Sequence, residues 1–215
     1  MAKLKLTVAC SEYDYLQPLR DGEVEPEGID LNLIFVESGT RHMRMYRHGE
    51  YDACEFSMCS YLVARGQNID RIQAIPFFPR RMFGHKFCFI RAGSGIKKPS
   101  DLKGKRIGLR TYENTLALIV KGMFMNNYDL PVTDVTWVLV NKEPVGAELP
   151  SHIKIERVEG GKKLEHLLAA GQIDALVEPD LPQTWLRASA FFRTSKKRKK
   201  SITRELGSFP SCTRL

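Results

Sequence analysis

Short apolar runs with strand spacing alternate along this chain with longer runs of helical spacing, and that alternation leaves few architectures open. Residues 4–10 alternate as a strand, and 29–37 form a second, introduced by the turn Pro26-Glu27-Gly28. Residues 40–48 read as a helix ending at Gly49, 51–56 as a short strand, and 58–65 as a helix closed by Gly66. Residues 72–78 and 86–91 read as two further strands. A loop rich in Gly, Lys and Pro at 93–99 leads into a second run of the same grammar: strand 106–109, helix 114–127, strands 135–140 and 153–158, helix 162–170 stopped by Gly171, and strand 173–177. Alternating strand and helix argue for a parallel or mixed sheet covered by helices. The 215 residues suffice for two modest α/β lobes with a cleft between them, 1–88 and 89–187.

The net charge of +8 would ordinarily suggest a nucleic acid or an anionic surface as partner, but the charge is unevenly placed. Residues 188–215 hold eight Lys and Arg and one acid, which leaves the other 187 residues at +1. The body therefore gives no reason to expect a nucleic-acid partner. No stretch approaches the roughly 18 apolar residues of a membrane helix, and the first ten residues lack the apolar core of a secretory signal, so no membrane span and a cytoplasmic location are expected. Cys10, Cys54, Cys59, Cys88 and Cys212 are odd in number and lack CxxC spacing, which points to reduced, mostly buried thiols and no metal site. Nucleotide-loop, zinc-protease and serine-hydrolase motifs are absent.

In open α/β sheets ligands settle beyond the carboxyl ends of strands, where helix N-termini offer amides to anions. That rule selects the loops 10–14, 55–60, 79–85, 110–115 and 178–180. Tyr13 could stack on a ligand ring or pack under its loop. Glu55, Ser57 and Ser60 stand at a strand-to-helix junction, where Ser57 is also a good N-cap. Thr111, Tyr112, Glu113, Asn114 and Thr115 repeat that arrangement, with Asn114 or Thr115 free to cap. Arg80, Arg81 and His85 place two cations and one imidazole within six residues.

DGEVEPEGIDLNLI, EFSMCSYLVARG, IPFFPRRMFGHKFCFI, DLKGKRIGLRTYENTLALIVKGM and GQIDALVEPDLP together resemble the 4,5-dihydroxyphthalate decarboxylase family. The resemblance runs from about Leu4 to Arg187. It implies a two-lobed type II periplasmic-binding-protein-like fold and a small aromatic carboxylate as ligand. It leaves two functions open, a decarboxylase of 4,5-dihydroxyphthalate or a related acid and a non-catalytic carboxylate-binding protein. The cofactor and the oligomeric state stay undetermined. For the decarboxylase, ring protonation before loss of carbon dioxide needs three groups. Arg81 is expected to clamp the carboxylate that stays, His85 to protonate the ring carbon, and Glu113, from the second lobe, to take the phenolic proton. Tyr13, Glu55, Ser57, Ser60, Thr111, Tyr112 and Thr115 are expected to line the ligand.

Beyond Arg187 the family continues with a segment resembling LFPNF, a tyrosine pair and TGIFPIMHTV. Back-translation of 191–215, read from the third base of each codon, permits that same order of residues. Residues 188–215 are therefore expected to be an out-of-frame basic tail, and the first lobe to be incomplete.

Overall fold

The structure, a computed structural model, describes residues 2–91, 93–159, 161–179 and 188–190. It divides into two compact α/β units. Unit 1 comprises Met1–Arg81 with two later pieces, Glu113–Thr115 and Lys142–Leu149, and unit 2 comprises Met82–Tyr112, Leu116–Asn141 and the chain from Pro150.

Unit 1 is built on a parallel three-stranded sheet in the order β2-β1-β3, from β1 (Leu4–Cys10), β2 (Ile29–Phe35) and β3 (Ala53–Cys54). Parallel strands need crossovers. α1 (Gln17–Arg20) lies in the first and α2 (Ser38–His48) in the second. The Glu37 carboxylate accepts from Thr40 N at 3.0 Å and so caps α2, and the amides of Gly39 and then Thr40 hold its pKa below the usual carboxylate range. Gly49, at φ 58°, ends the helix in the left-handed conformation that costs glycine nothing. Burial rises steeply along β1, from Leu4 at 60% exposed to Ala9 at 0%. α3 (Met58–Gly66) follows β3. Among the described residues, the buried apolar residues of this unit are few and, Tyr51 apart, small: Ala9, Cys10, Tyr51, Cys59 and Ala64.

Unit 2 carries a six-stranded mixed sheet in the order β7-β6-β5-β8-β4-β9. Its strands are β4 (Cys88–Arg91), β5 (Arg106–Leu109), β6 (Thr136–Leu139), β7 (Lys154–Arg157), β8 (Ala175–Val177) and β9 (Ala188–Ala190). β4 runs antiparallel to both its neighbours, and the other pairs are parallel. Successive side chains point to opposite faces of a strand, and the core follows that period. Ile107, Leu109, Trp137, Leu139, Ala175 and Val177 pack with Ala117, Val120 and Phe124 of α4 (Thr115–Tyr128), while Val138 and Leu176 pack with Leu164, Leu167 and Leu168 of α5 (Leu164–Ala169). Gly108 faces the second layer. A Cβ there would come within 2.6 Å of Ile173 Cδ1 and 2.7 Å of Leu164 Cδ2, so this strand position admits only glycine without displacing both.

Four sequence expectations need correction. Residues 72–78 form no strand. Pro76 and Pro79 supply no ladder donor, and Ile75, Phe77 and Phe78 stand exposed. The unit boundary falls at 81/82 rather than at 88. The turn Gly84–Phe87 presses Gly84 against Val120 and Ile119 of α4, and β4 pairs with β8. Ala188–Ala190, assigned from sequence to the tail, is strand β9 beside β4. The division into 1–88 and 89–187 also misses the return of 113–115 and 142–149 to unit 1. Residues 191–215 lie outside the described residues. Among the described residues, no helix is long and apolar enough to cross a membrane.

Candidate functional site

The carboxyl ends of β1 and β3 lie side by side, because Ala9 is in register with Cys54. Ser11 and Glu55 are the first residues past the ends of the two strands. The Ser11 amide donates to Glu55 Oε2 at 3.0 Å, and the Tyr13 hydroxyl donates to Glu55 Oε1 at 2.6 Å. Arg41, carried by α2 and only 1% exposed, reaches into the same place. Its Nε donates to Glu55 O at 2.8 Å, Nη1 to Val36 O at 2.5 Å, Nη2 to Glu55 Oε2 at 2.8 Å, and both terminal nitrogens reach Ser11 Oγ at 3.3 Å. One guanidinium thus ties together the ends of all three strands of unit 1. A buried charge is tolerated only when paired and hydrogen-bonded in this way.

The ionisation of the group follows from that geometry. Burial pushes the Glu55 carboxyl up, but donation from Tyr13 and Ser11 and the charge of Arg41 more than offset it, and its pKa lies below the usual range. Tyr13 is pushed up to about 12, by burial first and then by its bond to an already ionised Glu55. His42, next to Arg41 in the chain and edge-on to Phe56, is pushed down to about 4 by burial and by the Arg41 charge. Burial raises the thiols of Cys10 and of Cys54, the latter to about 11. These groups therefore hold fixed protonation states near neutrality, which suits binding and orientation more than proton transfer. Beside them Tyr13 and Tyr15 stack at 5.1 Å and 11°, the Tyr15 hydroxyl donates to Pro79 O at 3.0 Å, and the charge of Arg80 acts on the Tyr13 phenol.

Ser57 caps α3 by accepting from Ser60 N at 3.3 Å. Thr115 joins it, with Oγ1 at 3.2 Å from Ser57 Oγ and 3.4 Å from Cys59 N. Ser60 Oγ donates to Glu113 O at 3.2 Å. Sequence reasoning brings Ser57, Ser60 and Thr115 to one loop cluster, and the structure uses much of their hydrogen-bonding capacity to join 113–115 to α3. Glu113 departs from expectation. It belongs to unit 1, is 3% exposed, and its carboxylate accepts from Gly146 N at 3.0 Å and from Ala147 N, while its own amide donates to Glu143 Oε2. A carboxylate so placed anchors the 142–149 loop, so the expected role as acceptor of a phenolic proton from the second lobe does not fit it. That loop and the C-terminal end of α3 border a groove of about 610 Å³ lined by Val63, Gly66, Gln67, Gly146, Ala147 and Glu148. The chemistry-bearing side chains gather elsewhere, at the strand ends.

In unit 2, Arg110 leaves β5 and grips the buried Glu178, which follows β8, through both carboxylate oxygens at 2.9 and 2.6 Å. Thr111 is buried. The Tyr112 ring packs edge-on to Trp137 and lies beneath Lys121 Nζ at 3.1 Å, so it serves the core of unit 2 more than a ligand. His85 sits half-buried in the Gly84–Phe87 turn, edge-on to Tyr128 at 6.3 Å. Arg81 is exposed at the end of the first segment of unit 1. Among the described residues no group of three His, Cys, Asp or Glu converges as metal ligands would. Sequence reasoning misses Arg41 altogether, because among the cations of TRHMRMYRH nothing distinguishes the one that is buried.

Two α/β units with helix-covered parallel and mixed sheets, and polar groups collected beyond strand ends, define a protein of the type II periplasmic-binding-protein-like fold. The alkanesulfonate-binding protein SsuA from Xanthomonas axonopodis pv. citri shares this fold at a TM-score of 0.52 and 15% identity, over 89% of this chain and 61% of that one. SsuA from Escherichia coli does so at 0.50 and 14%, over 82% and 51%. Residues 25–149 match the family described as NMT1/THI5 like. A 4,5-dihydroxyphthalate decarboxylase from Pseudomonas putida is 33% identical over 99% of this chain and 86% of its own length, and one from Comamonas testosteroni is 33% identical over 87% and 58%. The chain belongs to the 4,5-dihydroxyphthalate decarboxylase family. It spans little more than half the length of the Comamonas relative.

Proposed function

We propose that the protein acts on 4,5-dihydroxyphthalate or a closely related aromatic carboxylic acid, releasing carbon dioxide. The observation that carries this reading is the polar group at the ends of β1 and β3, Tyr13, Glu55 and Arg41, in a chain 33% identical to two decarboxylases of that name. Direct loss of carbon dioxide from an arene would leave an unstabilised aryl anion. The accessible route protonates the carboxyl-bearing ring carbon first, with the electron pair supplied through the phenolic oxygen para to it. Carbon dioxide then leaves, its bonding electrons return to the ring, and aromaticity is restored. Arg81 is proposed to hold the remaining carboxylate, because a guanidinium fork matches a carboxylate in two hydrogen bonds. His85 is proposed as the acid, because imidazole is the side chain whose ordinary pKa lies near neutrality. Glu113 is left out of the chemistry, since its carboxylate is committed to two loop amides.

A second reading is favoured by a specific observation. The Glu55 carboxylate and the Tyr13 phenol at the strand ends of unit 1 are committed to each other and to Arg41 and Ser11, as suits a non-catalytic binding protein for a small carboxylate. One experiment separates the two. The purified chain is incubated with carboxyl-labelled 4,5-dihydroxyphthalate and released carbon dioxide is counted. Release above the buffer blank supports the enzyme, and saturable binding with no release supports the binding protein.

A further inference from the structure

The Arg41 cluster does more than close three strand ends, because its hydrogen bonds fix where one particular proton lies. Arg41 donates through both terminal nitrogens to Ser11 Oγ and through Nη2 to Glu55 Oε2, so the guanidinium holds the serine and the carboxylate in one place. Glu55 accepts on Oε2 from Arg41 and the Ser11 amide, and on Oε1 from the Tyr13 hydroxyl at 2.6 Å; an ionised carboxylate has no proton to give back. The phenolic proton of Tyr13 is therefore committed inward. What its oxygen still offers a ligand is acceptor capacity, and a ligand that takes it up must bring a donor. Tyr13 and Tyr15 stack face to face, Tyr15 is 49% exposed, and Arg80 contributes positive charge at the phenol. An aromatic face, a fixed acceptor and a cation together match a hydroxylated aromatic carboxylate.

We propose that Tyr13 is the residue that reads a ligand's phenolic hydroxyl, and that Arg41 is the positioning residue that orients it through Ser11 and Glu55. This rests on the aromatic-acid reading above and adds to it a basis for discriminating hydroxylated from unhydroxylated rings. A site built to accept from a hydroxyl rejects an analogue lacking it, because the buried polar group is then left with nothing in return for the water it gave up.

The test is calorimetric titration of the full chain with 4,5-dihydroxyphthalate and with phthalate. The wild type is expected to bind the dihydroxylated ring about 10-fold or more tighter. Tyr13→Phe keeps the aromatic face and the Arg41–Glu55 pair but removes the acceptor, and should bring the two affinities within about 3-fold of each other. Arg41→Lys, which touches no ligand in this account, should narrow the preference in the same direction, because an ammonium cannot span Ser11 and Glu55 as the fork does. Should Arg41→Lys fail to fold, Tyr13→Phe decides alone. An undiminished preference in Tyr13→Phe, or equal binding of both acids by the wild type, overturns this inference and leaves the aromatic-acid reading standing. Failure of the wild type to bind either acid overturns both.

Discussion

Replacing Arg41 with methionine should loosen unit 1 selectively, and the size of the effect can be worked from its contacts. The substitution nearly preserves buried volume but removes the donors to Val36 O, Glu55 O, Ser11 Oγ and Glu55 Oε2, and it leaves an ionised carboxylate without its countercharge. Removing one partner of a buried ion pair costs about 3–5 kcal/mol. The partly exposed side of Glu55 argues for the lower end, about 3 kcal/mol. Every 1.4 kcal/mol is about tenfold in an equilibrium constant, so opening should become about 100-fold more frequent. Amide hydrogen exchange reads this directly. The Val36 and Glu55 amides, bonded to Cys10 O and Ala9 O, should exchange about 100-fold faster, whereas the Val140 amide on Leu109 O in unit 2 should not change. Adding Glu55→Gln removes the stranded charge and should restore at least half of the lost protection, since an ion pair replaced as a whole often costs little. A change of less than about threefold at Val36 and Glu55 in Arg41→Met would refute the argument that this guanidinium holds the strand ends.

Glu55 has a folded pKa below its ordinary value of 4.5, so it adds stability above about pH 4.5 that is lost as pH falls through the folded pKa; Glu55→Gln should flatten that part of an acid titration followed by far-ultraviolet circular dichroism. Gly108→Ala should cost about 1–3 kcal/mol in urea unfolding, and Ile173→Val in the same chain should recover part of it by withdrawing the Cδ1 methyl that the new Cβ would strike. His85→Gln should lower carbon dioxide release about 100-fold with little change in affinity, whereas Arg81→Lys should chiefly weaken binding; equal turnover in His85→Gln and wild type would remove the acid assignment.

The pattern of apolar residues carries most of the fold. β1 and β5 have the bounds read from their apolar pattern, and β2, β3, β4, β6, β7 and β8 lie within two residues of theirs at either end, because each strand of a helix-covered sheet must place its apolar residues on faces that water does not reach. Residues 72–78 mislead for a definite reason: their apolar character is that of a strand, but Pro76 within them and Pro79 just after them supply no ladder donor, and the aromatic rings stand outside the core. In the candidate site, Tyr13 and Glu55 are legible because they follow strands, and position along a strand is what periodicity reports. Arg41 and the anchoring role of Glu113 are illegible for the converse reason. Each is defined by partners 5 to 34 residues away in the chain, and no local pattern records which of several like charges a distant carbonyl or amide will meet.

The two short pieces that complete unit 1 also set a schedule for its assembly. Glu113–Thr115 and Lys142–Leu149 are separated from Met1–Arg81 by most of the first half of unit 2, yet they bond to α3 and to each other. During synthesis at about 5–20 residues per second, the N-terminal strands emerge first and wait several seconds for Gly146 and Ala147 to leave the ribosome. Until then α3 lacks the Gly146 carbonyl that Gln67 holds near its end, and Glu113 lacks the two amides that its carboxylate accepts from. A nascent chain halted before residue 142 should therefore be cut by protease within α3, although every residue of that helix has already been made.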